Sequence, residues 1–421
     1  PRPHAHCTRR NAAPGLTTVR KLPTDHYPHR HDGDATAAGL HLADVTMFWA
    51  AESGGVKRYL RAKHDFLRST HWRHTLVVPG TADDASNEIA VVPGVPLPLS
   101  HGYRIPLRTG PAVRALCALS PDLIEAGDPY RLSWAAVHAG ARLQVPVAAF
   151  YHSDLPAFFR RLGGPPAELA AAAYARKLYP HFDTVFVPSR YIAQKVADLG
   201  VQRIELQPLG VDTRLFHPAR RSLRWREQLD LPRDARVLLY VGRYAPEKNL
   251  HVLCDAVDKL DDGSVLVTIG SGPTPPRGKH VRALAYEGDA QHLAAAMASV
   301  DVFVHAGDQE TFGLVALEAM ASGVPVVTCA AGGLSELVDE RVGYAVPRCT
   351  ADDFAQALQA LRQRDPVTLA HAARRHAMQY DWRAVLPQLL HRYLALLGRQ
   401  AGTAAATFEP AHERVRALRS R

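Results

Sequence analysis

Four side chains in the second half of this sequence, Arg243, Lys248, Glu310 and Glu318, are of types that could together hold a ligand with a charged middle and a hydroxyl-bearing group at each end. The densest cluster is Glu310-Thr311-Phe312-Gly313-Leu314-Val315-Ala316-Leu317-Glu318, which follows the apolar run Val300–His305 and precedes Gly323-Val324-Pro325-Val326-Val327. A helix beginning near Thr311 would expose unpaired N–H groups and the positive end of its dipole at a strand's carboxyl edge, where a phosphate is stabilised. Glu310 and Glu318 would then lie about 12 Å apart along the helix. Glu310 could accept hydrogen bonds from sugar hydroxyls and Glu318 from a ribose diol, which is the shape of a nucleotide-sugar. Taken alone, two acids at a helix start are equally an ordinary surface pair, because the dipole favours them there.

The second cluster is Val241-Gly242-Arg243-Tyr244-Ala245-Pro246-Glu247-Lys248-Asn249-Leu250, a buried-looking strand that ends in Gly-Arg, with a helix expected from Pro246. Pro and Glu suit a first turn, but a lysine opposes the dipole by a few tenths of a kcal/mol (about 0.3). An anionic ligand would explain that exception. Arg243 and Lys248 could hold a diphosphate and neutralise the charge that develops as it leaves; two solvated cations on a turn are the plainer alternative. Gly54-Gly55 after the first strand would let backbone approach a phosphate or sugar. Gly270-Ser271-Gly272-Pro273 would make a tight turn at the same edge of the second sheet. His152 and Asp154 follow the run Val145–Tyr151 at a carboxyl edge, although a lone histidine there is more often structural. Asp32-Gly33-Asp34 precedes any strand and is given no role.

The elements that must position these residues are legible as a pattern. Short apolar runs alternate with amphipathic segments from about Ala43, as expected for parallel strands joined by crossover helices. In the first half they are Val45–Trp49, Leu76–Val78, Ile89–Val92, Leu123–Glu125, Val145–Tyr151, Thr184–Val187 and Ile204–Gln207; in the second, Val237–Val241, Ser264–Ile269, Val300–His305, Val324–Cys329 and Gly343–Val346. Two open α/β sheets follow. The expected division is an N-terminal extension over 1–38, disordered; a first domain over 39–215; a second over 216–380; a helix over 381–398; and a basic tail over 399–421.

At 421 residues the chain exceeds what one core usually covers. Its 47% hydrophobic and 22% charged content is that of a globular protein, with no run approaching the roughly 18 apolar residues of a membrane span. The first 33 residues contain no apolar stretch that could act as a secretory signal, so a cytoplasmic location is expected. The five cysteines, Cys7, Cys117, Cys254, Cys329 and Cys349, form no CxxC pair and read as reduced. A net charge of +9 and a pI near 9.4 suit an anionic partner. Nucleic acid is disfavoured, as no aromatic-basic, zinc-finger or helix-turn-helix pattern is present. The helix expected after Gly55 sets Val56, Tyr59, Leu60 and Leu67 to one side and Lys57, Arg58, Arg61 and Arg68 elsewhere, so it could touch an anionic membrane or simply present a solvated basic face.

Together these segments resemble the retaining GT-B glycosyltransferases of family 4, the glycosyl transferases group 1. "ETFGLVALE" resembles the family's EX7E signature, "VGRYAPEKNL" its Gly-Arg-x5-Lys-like donor segment and "PLGVDTRLFHP" its interdomain connector. The resemblance implies two Rossmann-like domains with parallel sheets facing across a cleft, acceptor bound by the first and donor by the second. It implies that Arg243 and Lys248 bind the donor diphosphate, Glu310 the transferred sugar and Glu318 the ribose. Gly313, Leu314 and Val315 would offer backbone N–H groups, with Phe312, Gly270 and Gly272 lining the donor. Gly54 and Gly55 match the family's glycine-rich loop, and His152 in "FYHSDLP" the histidine that reaches the donor sugar. The last helix would cross back onto the first domain. Retention without a bound metal or cofactor is implied, with a glycan or lipid-linked acceptor; "SPDLIEAGDPYRLSWAAVHAGARLQVPVAAFY" is similar to members that elongate such acceptors, mannosyltransferases among them. A nucleotide-sugar epimerase of the same architecture, needing no acceptor, and a non-catalytic binding module are the rivals. A dehydrogenase is disfavoured because no strand is followed by Gly-x-Gly-x-x-Gly.

Overall fold

The structure is a computed structural model that describes residues 39–50, 54–81, 84–86, 88–97, 102–232 and 234–398. The expectations for 1–38 and 399–421, including Cys7 and Asp32-Gly33-Asp34, lie outside the described residues.

The first half runs β1 (His41–Val45), α1 (Gly55–Arg68), β2 (Arg73–Gly80), β3 (Ile89–Pro93), a small hairpin of β4 (Val95–Pro96) and β5 (Arg104–Ile105), α2 (Gly110–Leu119), β6 (Leu123–Ala126), α3 (Arg131–Leu143), β7 (Val147–Phe150), α4 (Leu155–Leu178), β8 (Thr184–Val187), α5 (Arg190–Asp198) and β9 (Ile204–Leu206). Seven of these strands form one sheet in the order β3-β2-β1-β6-β7-β8-β9, and every pairing in it is parallel. The second half begins with α6 (Leu223–Glu227) and continues β10 (Val237–Val241), α7 (Leu250–Leu260), β11 (Val265–Ile269), β12 (Val281–Leu284), α8 (Ala290–Ala298), β13 (Val302–His305), α9 (Leu314–Ala321), β14 (Val326–Cys329), β15 (Gly343–Val346), α10 (Ala351–Arg362), α11 (Pro366–Met378) and α12 (Trp382–Leu396). Its six-stranded sheet is ordered β12-β11-β10-β13-β14-β15, again all parallel. The chain is therefore α/β, two Rossmann-like sheets flanked by helices, as the spacing of apolar runs demands of strands buried on both faces.

The order of the strands creates the site. In each sheet the chain leaves the first strand in one direction and returns to build the other, so the loops after β1 and β6, and those after β10 and β13, diverge and leave a crevice at the carboxyl edge. Helix α12 comes from the end of the second half yet packs on α1, with Tyr393 buried in the core of the first. A parallel bridge between Val211 and Asp381 ties the two crossing segments together.

Three expectations need correction. The first strand is His41–Val45, not Val45–Trp49; its polar residues hid it, because the buried His41 bonds Thr75 (2.9 Å) and the buried Asp44 bonds Lys63 (2.8 Å). Pro246 opens a 3-10 turn over Pro246–Lys248, and α7 starts only at Leu250. The helix of the Glu310–Glu318 cluster begins at Leu314 rather than near Thr311, since Gly313 is its N-cap at φ +107 and Thr311–Phe312 belong to the loop. The strand β12 was missed altogether; its Val-Arg-Ala-Leu has two exposed residues at the sheet edge and no apolar run to mark it.

Candidate functional site

The site is assembled from the two loops that flank the crevice of the second sheet. After β10, Gly242 turns the chain (φ +154) and leads through Arg243 to the 3-10 turn that ends in Lys248. This loop is fixed from below by the loop after β11. A Cβ on Gly270 would lie 1.9 Å from the Gly242 carbonyl oxygen, and one on Gly272 would lie 2.2 Å from that of Tyr244. Gly270 and Gly272 thus let two backbones pack face to face, a role set by close approach. The Tyr244 N–H donates to the Ser271 carbonyl (2.7 Å) across the same contact. On the other side, the Asn249 amide donates to the Ala306 carbonyl (3.0 Å), which ties the loop after β10 to the loop after β13.

That second loop presents Glu310. Its carboxylate pairs with the Lys248 ammonium and lies 3.3 Å from His305 Nε2. The Gly307 N–H donates to His305 Nδ1 (3.1 Å), so Nδ1 is the acceptor and Nε2 carries the proton that faces Glu310. Burial pushes the Glu310 carboxyl up, but the Lys248 charge and His305 outweigh it and hold the group well below the usual carboxylate range. The Glu310 backbone is clamped as well, with the Gly333 N–H donating to its carbonyl (2.6 Å). Lys248 therefore answers Glu310, which accounts for a cation where a helix start would disfavour one. Arg243 reaches out beside it, 69% exposed and 3.2 Å from Glu247. Gly313 follows at a positive φ where a Cβ would meet Leu334 Cδ1 at 2.4 Å, and the opening amides of α9, among them Leu314 and Val315, have no acceptor within the helix. Phe312 is buried with its ring edge-on to Tyr380 (6.0 Å), so its side chain packs the core.

The first half contributes from its own carboxyl edge. Gly54 caps α1, and a Cβ on Gly55 would stand 3.0 Å from Leu314 Cδ1, so the glycine loop abuts the start of α9. One turn on, Arg58 pairs with Glu318, which is 3% exposed and whose Oε2 is buried without a hydrogen-bond partner among the described residues. Ser189 Oγ donates to the Thr311 carbonyl (2.8 Å), and Glu336 accepts the N–H groups of Arg190 (3.0 Å) and Tyr191 (2.6 Å) at the start of α5. Arg161 of α4 reaches Glu247 (3.3 Å), the partner of Arg243.

His152 follows β7, its ring stacked on Phe150 (4.3 Å between centroids) and 5.0 Å from that of Tyr59. Its Nε2 is buried with no hydrogen-bond partner among the described residues. Burial, aided by the Lys63 charge, pushes its pKa down to about 3, so the ring is neutral. The folded chain then lacks a proton that the unfolded chain takes up below a pKa of about 6.5, and His152 costs stability as the pH falls through that value. In urea titrations at pH 7 and pH 5, His152→Gln is expected to lose less stability on acidification than the wild type, by up to one proton's worth, about 1.4 kcal/mol per pH unit. Parallel losses in the two proteins would contradict a neutral, desolvated His152.

The anionic-membrane reading of α1 meets a different arrangement. Lys57 donates to the Ala50 carbonyl (2.6 Å) and, with Arg61, lies over the Trp49 ring, while Arg58 turns to Glu318. The residues that sequence reasoning missed are Arg58 as a partner of Glu318, and His305, Ser189 and Glu336. Lys63 was missed too, although it falls on the stripe of Tyr59, Leu60 and Leu67 and so was marked as a polar residue on a buried face. No helix among the described residues is long and apolar enough to cross a membrane.

Residues 235–364 match the profile of the glycosyl transferases group 1, and residues 53–215 match that of glycosyltransferase family 4. A GDP-mannose-dependent alpha-mannosyltransferase of Mycobacterium tuberculosis is 31% identical over 393 residues, covering 87% of this chain and all of that protein. Among solved structures, sucrose-phosphate synthase of Thermosynechococcus elongatus superposes with a TM-score of 0.69 at 22% identity, over 85% of this chain and 99% of that one. The Anabaena protein HepE in complex with UDP-glucose superposes at 0.67 with 19% identity, over 85% and 100%. Both share the two-sheet GT-B fold.

Proposed function

This chain belongs to the glycosyl transferases of group 1, family 4, and from that premise we propose that it transfers mannose from GDP-mannose to a glycan or lipid-linked acceptor with retention of configuration. It is a glycosyltransferase that uses a nucleotide-sugar. The choice of GDP-mannose rests on the mannosyltransferase relatives. The observation that carries the placement of the chemistry is the Lys248–Glu310–His305 cluster beside the open end of α9.

In the proposed reaction, Arg243, Lys248 and the amides of Gly313, Leu314 and Val315 take the diphosphate. They stabilise the charge that grows on it as its bond to the sugar C1 breaks. Glu310, held ionised, accepts from sugar hydroxyls, and Glu318 from the ribose. The buried Nε2 of neutral His152 meets the sugar from the other side of the cleft. The acceptor hydroxyl attacks C1 on the face the diphosphate leaves, so that its proton passes to the departing phosphate oxygen; one C–O bond forms as another breaks and GDP is released. In this reading the diphosphate charge falls on side chains and amides, and no metal or other cofactor is required. An undiminished rate in excess EDTA is the expected control.

A lipid-linked acceptor is supported by the exposed Phe158, Phe159 and Leu162 of α4, which flank Arg161 where it reaches the donor loop. Contact with an anionic membrane at this face, from the cytoplasmic side, is part of the same proposal. In a thermal-shift panel, GDP at 100 times its dissociation constant is expected to add about 2.7 kcal/mol of stability, with UDP and ADP adding less at equal concentration. An equal or larger gain with UDP would overturn the guanine assignment. The anomeric proton of the product, read by NMR, tests retention.

A further inference from the structure

We infer that Arg58, from the opposite domain, is a positioning residue of the donor site: it holds one oxygen of Glu318 so that the other is presented to the nucleotide ribose. The inference rests on the reading of this cleft as a nucleotide-sugar site and adds to it a residue of the first domain. Four observations carry it. Glu318 is 3% exposed, a depth at which a lone carboxylate would take a proton rather than stay charged. Arg58 supplies the opposite charge to Oε1. Oε2 is also buried and has no hydrogen-bond partner among the described residues, and such an atom marks a place for a donor that arrives with a ligand. Finally, α1 is fixed against α9 by the contact of Gly55 with Leu314, so the guanidinium cannot reach Glu318 unless the two domains are brought together as they are here.

The chemistry is that of a shared carboxylate. A ribose diol offers two O–H donors, which an ionised carboxylate accepts more strongly than a protonated one. Without Arg58 the buried Glu318 drifts towards its protonated form and loses acceptor strength. Burial does raise the Glu318 carboxyl above its ordinary value, with Arg58 opposing that rise. An ion pair that served only to strap the domains together would affect every nucleotide alike. A pair that serves the ribose would affect only ligands bearing the hydroxyls.

Calorimetry with the full chain and two probes separates these cases, using GDP and 2′,3′-dideoxy-GDP, or the corresponding UDP or ADP pair if that base binds better. The wild type is expected to prefer the ribonucleotide by about 10- to 100-fold, the range for hydrogen bonds to a charged group. Arg58→Ala is expected to reduce that preference to less than about threefold while changing dideoxy-nucleotide affinity less than twofold, and Arg58→Lys to restore most of it. Equal weakening of both ligands by Arg58→Ala, an unchanged ratio, or tighter binding of the ribonucleotide would each overturn the inference. If no nucleoside diphosphate binds the wild type, the donor-site reading itself falls; a wild type that binds and discriminates, beside an Arg58→Ala chain that discriminates equally, sinks the role of Arg58 alone.

Discussion

Glu310→Gln is expected to lower kcat by about 10²- to 10³-fold, and Lys248→Ala to lower kcat/KM by a similar factor, the loss that follows removal of one preorganised charge at a reacting centre. The reason is the way the two groups are held. Glu310 is partly buried yet ionised, because Lys248 and the proton on His305 Nε2 face it from one side and the Gly333 amide clamps its backbone. In the proposed reaction a neutral glutamine keeps the shape but gives up the charge proposed to order the sugar hydroxyls. Removing Lys248 would take away a cation proposed for the diphosphate and leaves Glu310 without its ammonium partner. The two changes act on one charge pair and are not additive; Lys248→Ala with Glu310→Gln is expected to fall no more than about tenfold below the worse single variant. Steady-state kinetics on proteins of matched circular dichroism checks this. A Glu310→Gln enzyme within tenfold of the wild type, or losses that multiply, would remove this cluster from the chemistry.

Lys63→Met is expected to cost about 3–5 kcal/mol of unfolding free energy, the largest stability effect of any single substitution considered. Lys63 is 1% exposed on α1 and donates to Asp44 (2.8 Å) of β1 and to Glu125 (2.7 Å) of β6. Tyr59 donates to the same oxygen of Glu125 (3.0 Å), and Tyr393 of α12 donates to its other oxygen. His74 lies 2.5 Å from Asp44. One cation thus serves two buried acids, and the cost shows in their pKa values. Burial favours the protonated form of both, but Lys63 and His74 draw Asp44 down to about 2, whereas Glu125 stays raised. Without the lysine both acids are stranded in the core. Urea unfolding measures the loss, and adding Asp44→Asn and Glu125→Gln to Lys63→Met is expected to recover much of it, because neutral side chains carry no stranded charge. A single variant within 1 kcal/mol of the wild type would show the network to be incidental. The same cluster roots α1, which carries Gly55 and Arg58 to the donor side, and binds α12 to the first domain through Tyr393, so its loss is expected to weaken donor binding too.

The fold was largely legible because buried parallel strands leave unbroken apolar runs, and Val237–Val241 or Thr184–Val187 could hardly be anything else. The errors share one cause. His41 and Asp44 on β1, and Arg282 on β12, break the apolar pattern, and only their partners or the open sheet edge explain them. Helix starts were misplaced for a related reason: Gly313 and Asn249 sit at left-handed φ, so the chain turns once more before each helix begins. That geometry depends on what packs beneath the turn.

At the candidate site, residue type and order along the chain pointed to Arg243, Lys248, Glu310 and Glu318 as candidates, because charge and hydrogen-bonding capacity are properties of the side chain itself. Which of them meet was decided by tertiary structure. The reversal of strand order between β10 and β13 brings Lys248 to Glu310, 62 residues apart, and the approach of α1 to α9 brings Arg58 to Glu318 across 260. Ion pairing acts over a few ångströms in space and is indifferent to separation along the chain, so no local pattern could announce either contact.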